Sequence, residues 1–282
     1  MLQDLLQQRL RSAMQDKTIH YKDCAIYYKI IGKGKPVVFL HGFAEDGNVW
    51  QYQIDHLKDH YQLIVPDIPG SGRSAMANWQ DNIGIDALAE TIKAILDEEK
   101  ITNCTMIGHS MGGYIILALA EKYPQVLNGF GLFHSSAFAD ADEKKQARSK
   151  SIDFIKANGS FAFIKSTTPG LFATGFTKNH PEAINSLVDN GKNFVEEVLI
   201  QYYKAMKDRA DRRDILLNFP APILFIIGEN DKAIPLDISL KQCYLPKQSY
   251  IFILKDSAHM GMWEESDRSN KIIFDFLQAV NV

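Results

Sequence analysis

The stretch from Cys104 to Lys122 constrains the fold of this chain more than any other. A short apolar run, Cys104-Thr-Met-Ile107, passes without a linker through Gly108-His-Ser-Met-Gly-Gly113 into residues 114–122, which read as a helix halted by Pro124. A strand this apolar is buried on both faces, the condition of a parallel sheet. The turn after it must be sharp, and its glycines admit the close chain approach that such a turn creates. Apolar runs of the same character occupy 36–40, 61–66, 127–133, 222–227 and 249–254. Residues 50–60, 83–99, 236–243 and 263–280 read as helices between and after them. Strands alternating with helices in this way indicate a parallel α/β sheet. Two further β-rich runs, 18–21 and 25–31, come first and are cut off by breakers at 32–36.

From 137 to 214 the alternation stops, and the chain is charged and helix-like with no convincing buried strand. The expected organisation is an α/β core from 17–136 and 215–282, with 137–214 inserted as a helical unit. Leu2, Leu5, Leu6 and Leu10 fall at helical spacing and predict an amphipathic helix over 1–16. Lys144, Lys145, Arg148 and Lys150 form a basic run balanced by Asp140, Asp142 and Glu143, and read as a solvated helix face.

Composition excludes several classes. Across 282 residues, 31 Lys and Arg face 34 Asp and Glu, a net charge of −3 that gives no drive toward nucleic acid. Hydrophobic residues at 46% and charged residues at 23% fit a folded globular chain. No run approaches the ~18 apolar residues of a membrane span, and no basic flank precedes an apolar run of signal-peptide length. Cys24, Cys104 and Cys243 are widely spaced, with no zinc pattern and no disulfide framework. A reducing, cytoplasmic setting without a metal is the expectation.

Gly108-His-Ser-Met-Gly112 matches G-x-S-x-G, a turn that lifts a serine oxygen above the sheet and places the next backbone N–H at the start of a helix. Ser110 is then a candidate nucleophile needing a base and an acid to orient it. His259, after the last strand, is the expected base. Asp231, in the loop after the run ending at Ile227, is the expected acid, with Glu229 as its neighbour and possible substitute. The N–H groups of Phe43 and Met111 are the expected oxyanion donors. His109, His134, Phe172 and Trp263 are candidates to line a substrate pocket.

On these residues the chain resembles the α/β-hydrolase fold superfamily, of the small capped esterase, haloperoxidase-like and carbon–carbon-bond hydrolase type. The resemblance rests on His41-Gly42-Phe43, Asp67-Ile-Pro-Gly-Ser-Gly-Arg-Ser74, Gly108 to Gly113, Gly228-Glu-Asn-Asp231 and Ala258-His259, in that order, and covers 17–282. It implies an eight-stranded, mostly parallel sheet with helices on both faces, a Ser–Asp–His triad and a helical cap, with no metal or organic cofactor. Serine at 110 separates the chain from family branches that use an aspartate nucleophile. The expected activity is hydrolysis of an ester with a small or medium apolar acyl group. Carbon–carbon hydrolysis, perhydrolysis and slow-turnover ligand reception are the alternatives. The expected partner is a small-molecule acyl substrate, and the sequence leaves the oligomeric state open.

Overall fold

Side chains that alternate between two buried faces organise the sheet. The computed structural model describes residues 14–76 and 83–280. Its strands are β1 (Met14–Tyr21), β2 (Cys24–Ile31), β3 (Pro36–Leu40), β4 (Gln62–Pro66), β5 (Cys104–His109), β6 (Leu127–Phe133), β7 (Ile223–Gly228) and β8 (Ser249–Leu254). They form one eight-stranded sheet in the order β1-β2-β4-β3-β5-β6-β7-β8. The β1–β2 and β2–β4 pairs are antiparallel, and the other pairs are parallel.

The helices before the insertion are α1 (Gln51–Leu57), α2 (Ile85–Glu98) and α3 (Met111–Lys122). The segment between β6 and β7 holds α4 (Asp142–Asn158), α5 (Ser160–Thr167), α6 (Thr174–Asn179), α7 (Pro181–Asn190), α8 (Glu196–Lys207) and α9 (Arg213–Asn218). After β7 come α10 (Leu236–Cys243), α11 (Gly261–Glu264) and α12 (Ser266–Val280). Val38, Leu40, Met106 and Phe225 point to one core with Leu88 of α2 and Ile115 of α3. Val37, Phe39, Ile107 and Leu224 point to the other, with Ile54 of α1 and Phe276 of α12. Period-two alternation thus serves two apolar faces at once, which is why these strands read as unbroken hydrophobic runs.

The helix expected over 1–16 is corrected at its end. Residues 1–13 lie outside the described residues, but Met14, Gln15 and Asp16 pair with Ile31, Ile30 and Lys29 as the start of β1. The four leucines lie outside the described residues, so the correction concerns 14–16 alone, and β1 is an edge strand, which needs little apolar content. The insertion contains no strand, and its ends are tied to the core. The Tyr202 hydroxyl donates to Pro69 O at 2.7 Å, and Arg212 pairs with Glu121 of α3 and Asp86 of α2.

Candidate active site

The turn from β5 to α3 places Ser110 at φ 49° and ψ −112°, a left-handed conformation costly for a residue with a Cβ. Close packing holds it there. A Cβ on Gly112 would strike the carbonyls of Leu40 and His41, and one on Gly108 would strike the Gly112 backbone. Ser110 N donates to Phe133 O at 2.9 Å, and the Ser135 hydroxyl donates to Ser110 O at 2.7 Å. Met111 is the first residue of α3, so its N–H has no partner within the helix.

Asp231 follows β7, and its Oδ1 accepts from Ala233 N at 2.8 Å and Ile234 N at 2.9 Å. Its Oδ2 lies 2.7 Å from His259 Nδ1. That contact fixes the tautomer, because the carboxylate accepts and Nδ1 must carry the proton, leaving Nε2 as the acceptor. Burial would raise the Asp231 pKa, but His259 and the Ile234 N–H outweigh it and hold the carboxyl at about 2. Glu229, by contrast, is exposed.

A cavity of about 600 Å³ opens between the sheet and the insertion, and Phe43, His109, Ser110 and His259 line it. The structure therefore brings residues 43, 110 and 259 to one space, with Asp231 directly behind His259. Of the four candidate pocket residues only His109 lines this cavity. His134 is fully buried behind Asp231, with Nε2 accepting from Gly261 N at 3.1 Å and Nδ1 lying 3.6 Å from Asp231 Oδ2. Burial keeps it neutral, with a pKa well below the ordinary histidine value. Phe172 stacks on Phe176 at 5.4 Å, outside the cavity. Trp263 is also outside, because its indole N–H is drawn to Val49 O at 2.8 Å.

Three features escaped the sequence reading. Glu45 is buried, and one of its oxygens accepts from Gly42 N at 2.7 Å and meets His109 Nδ1 at 3.0 Å. His109 Nε2 lies 2.9 Å from His259 O. Both ring nitrogens of His109 face oxygen acceptors, so the imidazolium satisfies both contacts. Burial opposes charge on each partner, yet their mutual attraction lowers the Glu45 pKa and raises that of His109. This pair joins the turn at Gly42, the end of β5 and the His259 loop. An acid three residues after Gly42 was the only signal in the sequence.

Glu264 is the second feature. It accepts from Ala173 N at 2.6 Å, Ala258 N at 2.9 Å and Met260 N at 3.0 Å, bracketing His259 and binding the insertion. Burial pushes its pKa up to about 7.

The basic run at 144–150 is the third, and its reading as a solvated face is corrected at two positions. Lys144 and Arg148, one helical turn apart, face the cavity. Asp140 is buried and bound by Arg148 and Arg209, with Arg209 Nη1 at 2.7 Å from Oδ1. Residues beyond the run, on α8 and the segment after it, close over this side and desolvate it.

A protein-family model described as alpha/beta hydrolase fold matches residues 35–266. Among curated proteins, the chain is 28% identical to the Escherichia coli (strain K12) 2-hydroxy-6-oxononadienedioate/2-hydroxy-6-oxononatrienedioate hydrolase, over 92% of this chain and 90% of that protein. It is 29% identical to the dihydrolipoyllysine-residue acetyltransferase component of the acetoin cleaving system of Pseudomonas putida, covering 87% of this chain but 64% of that protein. Among solved structures, a thermophilic esterase from Thermogutta terrifontis, with malate bound, superposes with a TM-score of 0.88 at 25% identity, covering 95% of this chain and 100% of that one.

Proposed function

The chain belongs to the α/β-hydrolase fold family, and on that premise we propose that it is a serine hydrolase of carboxylic esters. The observation that carries the reading is the 2.7 Å contact between Asp231 and His259 beside the cavity that Ser110 lines. The Ser110 hydroxyl attacks the ester carbonyl as His259 Nε2 takes its proton. The carbonyl oxygen gains the negative charge and is met by the N–H groups of Phe43 and Met111. Collapse returns that electron pair, breaks the bond to the leaving alcohol and passes it the proton from His259. Water, deprotonated by His259, then cleaves the acyl-enzyme and frees Ser110. Asp231 stabilises the imidazolium in both halves without taking up the proton.

Residues 137–214 act in this reading as a cap that shapes an apolar acyl pocket of small or medium size. Three free, buried cysteines support a reducing, cytoplasmic setting. Among the described residues no helix is long and apolar enough to cross a membrane.

The test combines fluorophosphonate labelling with p-nitrophenyl acetate, butanoate and octanoate kinetics on wild type and Ser110→Ala. Rapid labelling and turnover that fall about 10⁴-fold or more in the variant support the reading. Unchanged turnover in Ser110→Ala sinks the nucleophile. A second reading, cleavage of a carbon–carbon bond beside a carbonyl by the same residues, is favoured by relatives named for 6-oxo substrates. Labelling with very slow ester turnover points to that reaction or to slow ligand reception.

A further inference from the structure

Beyond its apolar lining, the cavity has a cationic wall that ester hydrolysis at Ser110 does not use. Lys144, Arg148, Arg209 and Lys232 all line it, with Asp140 as their acidic counterpart and Glu45 already matched by His109. The two arginines are largely desolvated, their side chains 11% and 4% exposed, and Asp140 between them is 0% exposed. One carboxylate thus balances two buried guanidinium groups, and the two lysines add to the surplus.

Their donors are incompletely used. Arg209 gives Nη1 to Met206 O at 2.6 Å and Nη2 to Phe138 O at 2.7 Å, and its buried Nε has no hydrogen-bond partner among the described residues. Arg148 Nη1 reaches only the Met206 sulfur at 3.4 Å, a weak acceptor. Lys144 Nζ spends one of its three donors on Ala233 O at 2.9 Å. The surplus charge is felt at Tyr114. Burial would raise the pKa of its hydroxyl, yet Arg209, Lys144 and Arg148 bring it below the ordinary phenol value.

The wall is also near the nucleophile. Tyr114 lies in the first turn of α3, the helix that begins directly after Ser110, and both residues line the cavity. The Arg209 guanidinium lies 4.0 Å over the Tyr114 ring.

We propose that Arg148, Arg209 and Lys144 form an anion subsite, and that the ester cleaved at Ser110 carries a carboxylate that reaches this wall of the same cavity. The proposal rests on the serine-hydrolase reading and names its substrate class: half-esters of short dicarboxylic acids, or esters of carboxylate-bearing alcohols. The carboxylate takes up the donors that Arg148 and Lys144 have to spare, beside the charge of Arg209, and the apolar lining holds the carbon chain between its two ends.

Two matched pairs of esters test it. p-Nitrophenyl hydrogen adipate against p-nitrophenyl hexanoate places the charge on the acyl side. 4-Carboxyphenyl butanoate against phenyl butanoate places it on the leaving group. In wild type, the charged member of one pair is expected to exceed its neutral partner about tenfold in kcat/KM. That ratio is expected to fall about tenfold in Arg148→Gln and less in Lys144→Gln, and the favoured pair tells which side of the ester faces the wall. Because each ratio is internal to one protein, partial loss of folded material cancels. A ratio at or below one in both pairs, or one unmoved by either substitution, overturns the subsite and leaves the hydrolase reading standing. Absence of Ser110-dependent labelling and of turnover on all four esters overturns the hydrolase reading, and the subsite with it.

Discussion

Asp231 and Glu229 sit two residues apart on one loop, and burial separates their roles. Asp231 is enclosed and spends both oxygens on partners, whereas Glu229 faces solvent. Asp231→Asn is therefore expected to lower kcat by about 10⁴-fold, because the amide can orient the wrong imidazole tautomer. Glu229→Gln is expected to stay within about threefold, since surface changes away from such contacts act weakly. Steady-state kinetics on any accepted ester ranks them, and the reverse order moves the acid to Glu229. Asp231 also predicts an acid dependence of stability. Its carboxyl is held near 2 against an ordinary 3.8, so the unfolded chain binds the proton more tightly. About 2 kcal/mol is then present above pH 4 and lost as pH falls toward 2. Thermal unfolding across that window is expected to be flatter in Asp231→Asn than in wild type.

At the scale of elements, a four-residue helix, α11, holds the His259 loop. Its Glu264 accepts N–H groups on both sides of His259 and one from the insertion. Burial raises its pKa from 4.5 to about 7, so the folded chain binds this proton more tightly than the unfolded one. Its contribution to stability is full below about pH 4.5 and lost as pH rises to about 7. In Glu264→Gln that decline is expected to vanish from unfolding midpoints measured between those limits, while ester turnover drops as the loop loosens. Strands and the serine turn were legible because each is a local pattern: an apolar run, a glycine, a helix start. Glu45, Glu264 and Asp140 were not, because a buried acid on a loop looks like a solvated one until its partners arrive from elsewhere in the chain. Lys144 and Arg148 differ from a solvated face for the same reason, since Ala233 O and Met206 reach them only in three dimensions. Phe172 is a pocket candidate as an aromatic of the insertion and Trp263 by its closeness to His259 in sequence, and neither signal distinguishes lining a cavity from packing beside one.

For the whole molecule, the insertion shares an apolar core with the sheet, to which Ile155, Leu199 and Tyr202 contribute, and adds specific polar ties to it. Tyr202→Phe removes the hydrogen bond to Pro69 O and leaves that carbonyl unsatisfied by it, so a loss of about 1 kcal/mol is expected in urea unfolding. An unchanged midpoint argues that the tie contributes nothing. The sheet order has a consequence for the chain as it emerges from a ribosome. β1 to β6 are contiguous in space and complete once residue 133 is made, whereas β7 joins them only after the insertion has been synthesised. Closing that long loop costs only slightly more than closing a short one, so the delay is one of time rather than stability. Ser110 therefore sits among six of the eight strands long before Asp231 and His259 arrive. If the proposed reaction holds, a nascent or truncated chain carries Ser110 without His259, and Ser110 reactivity is expected only once the last strand has docked.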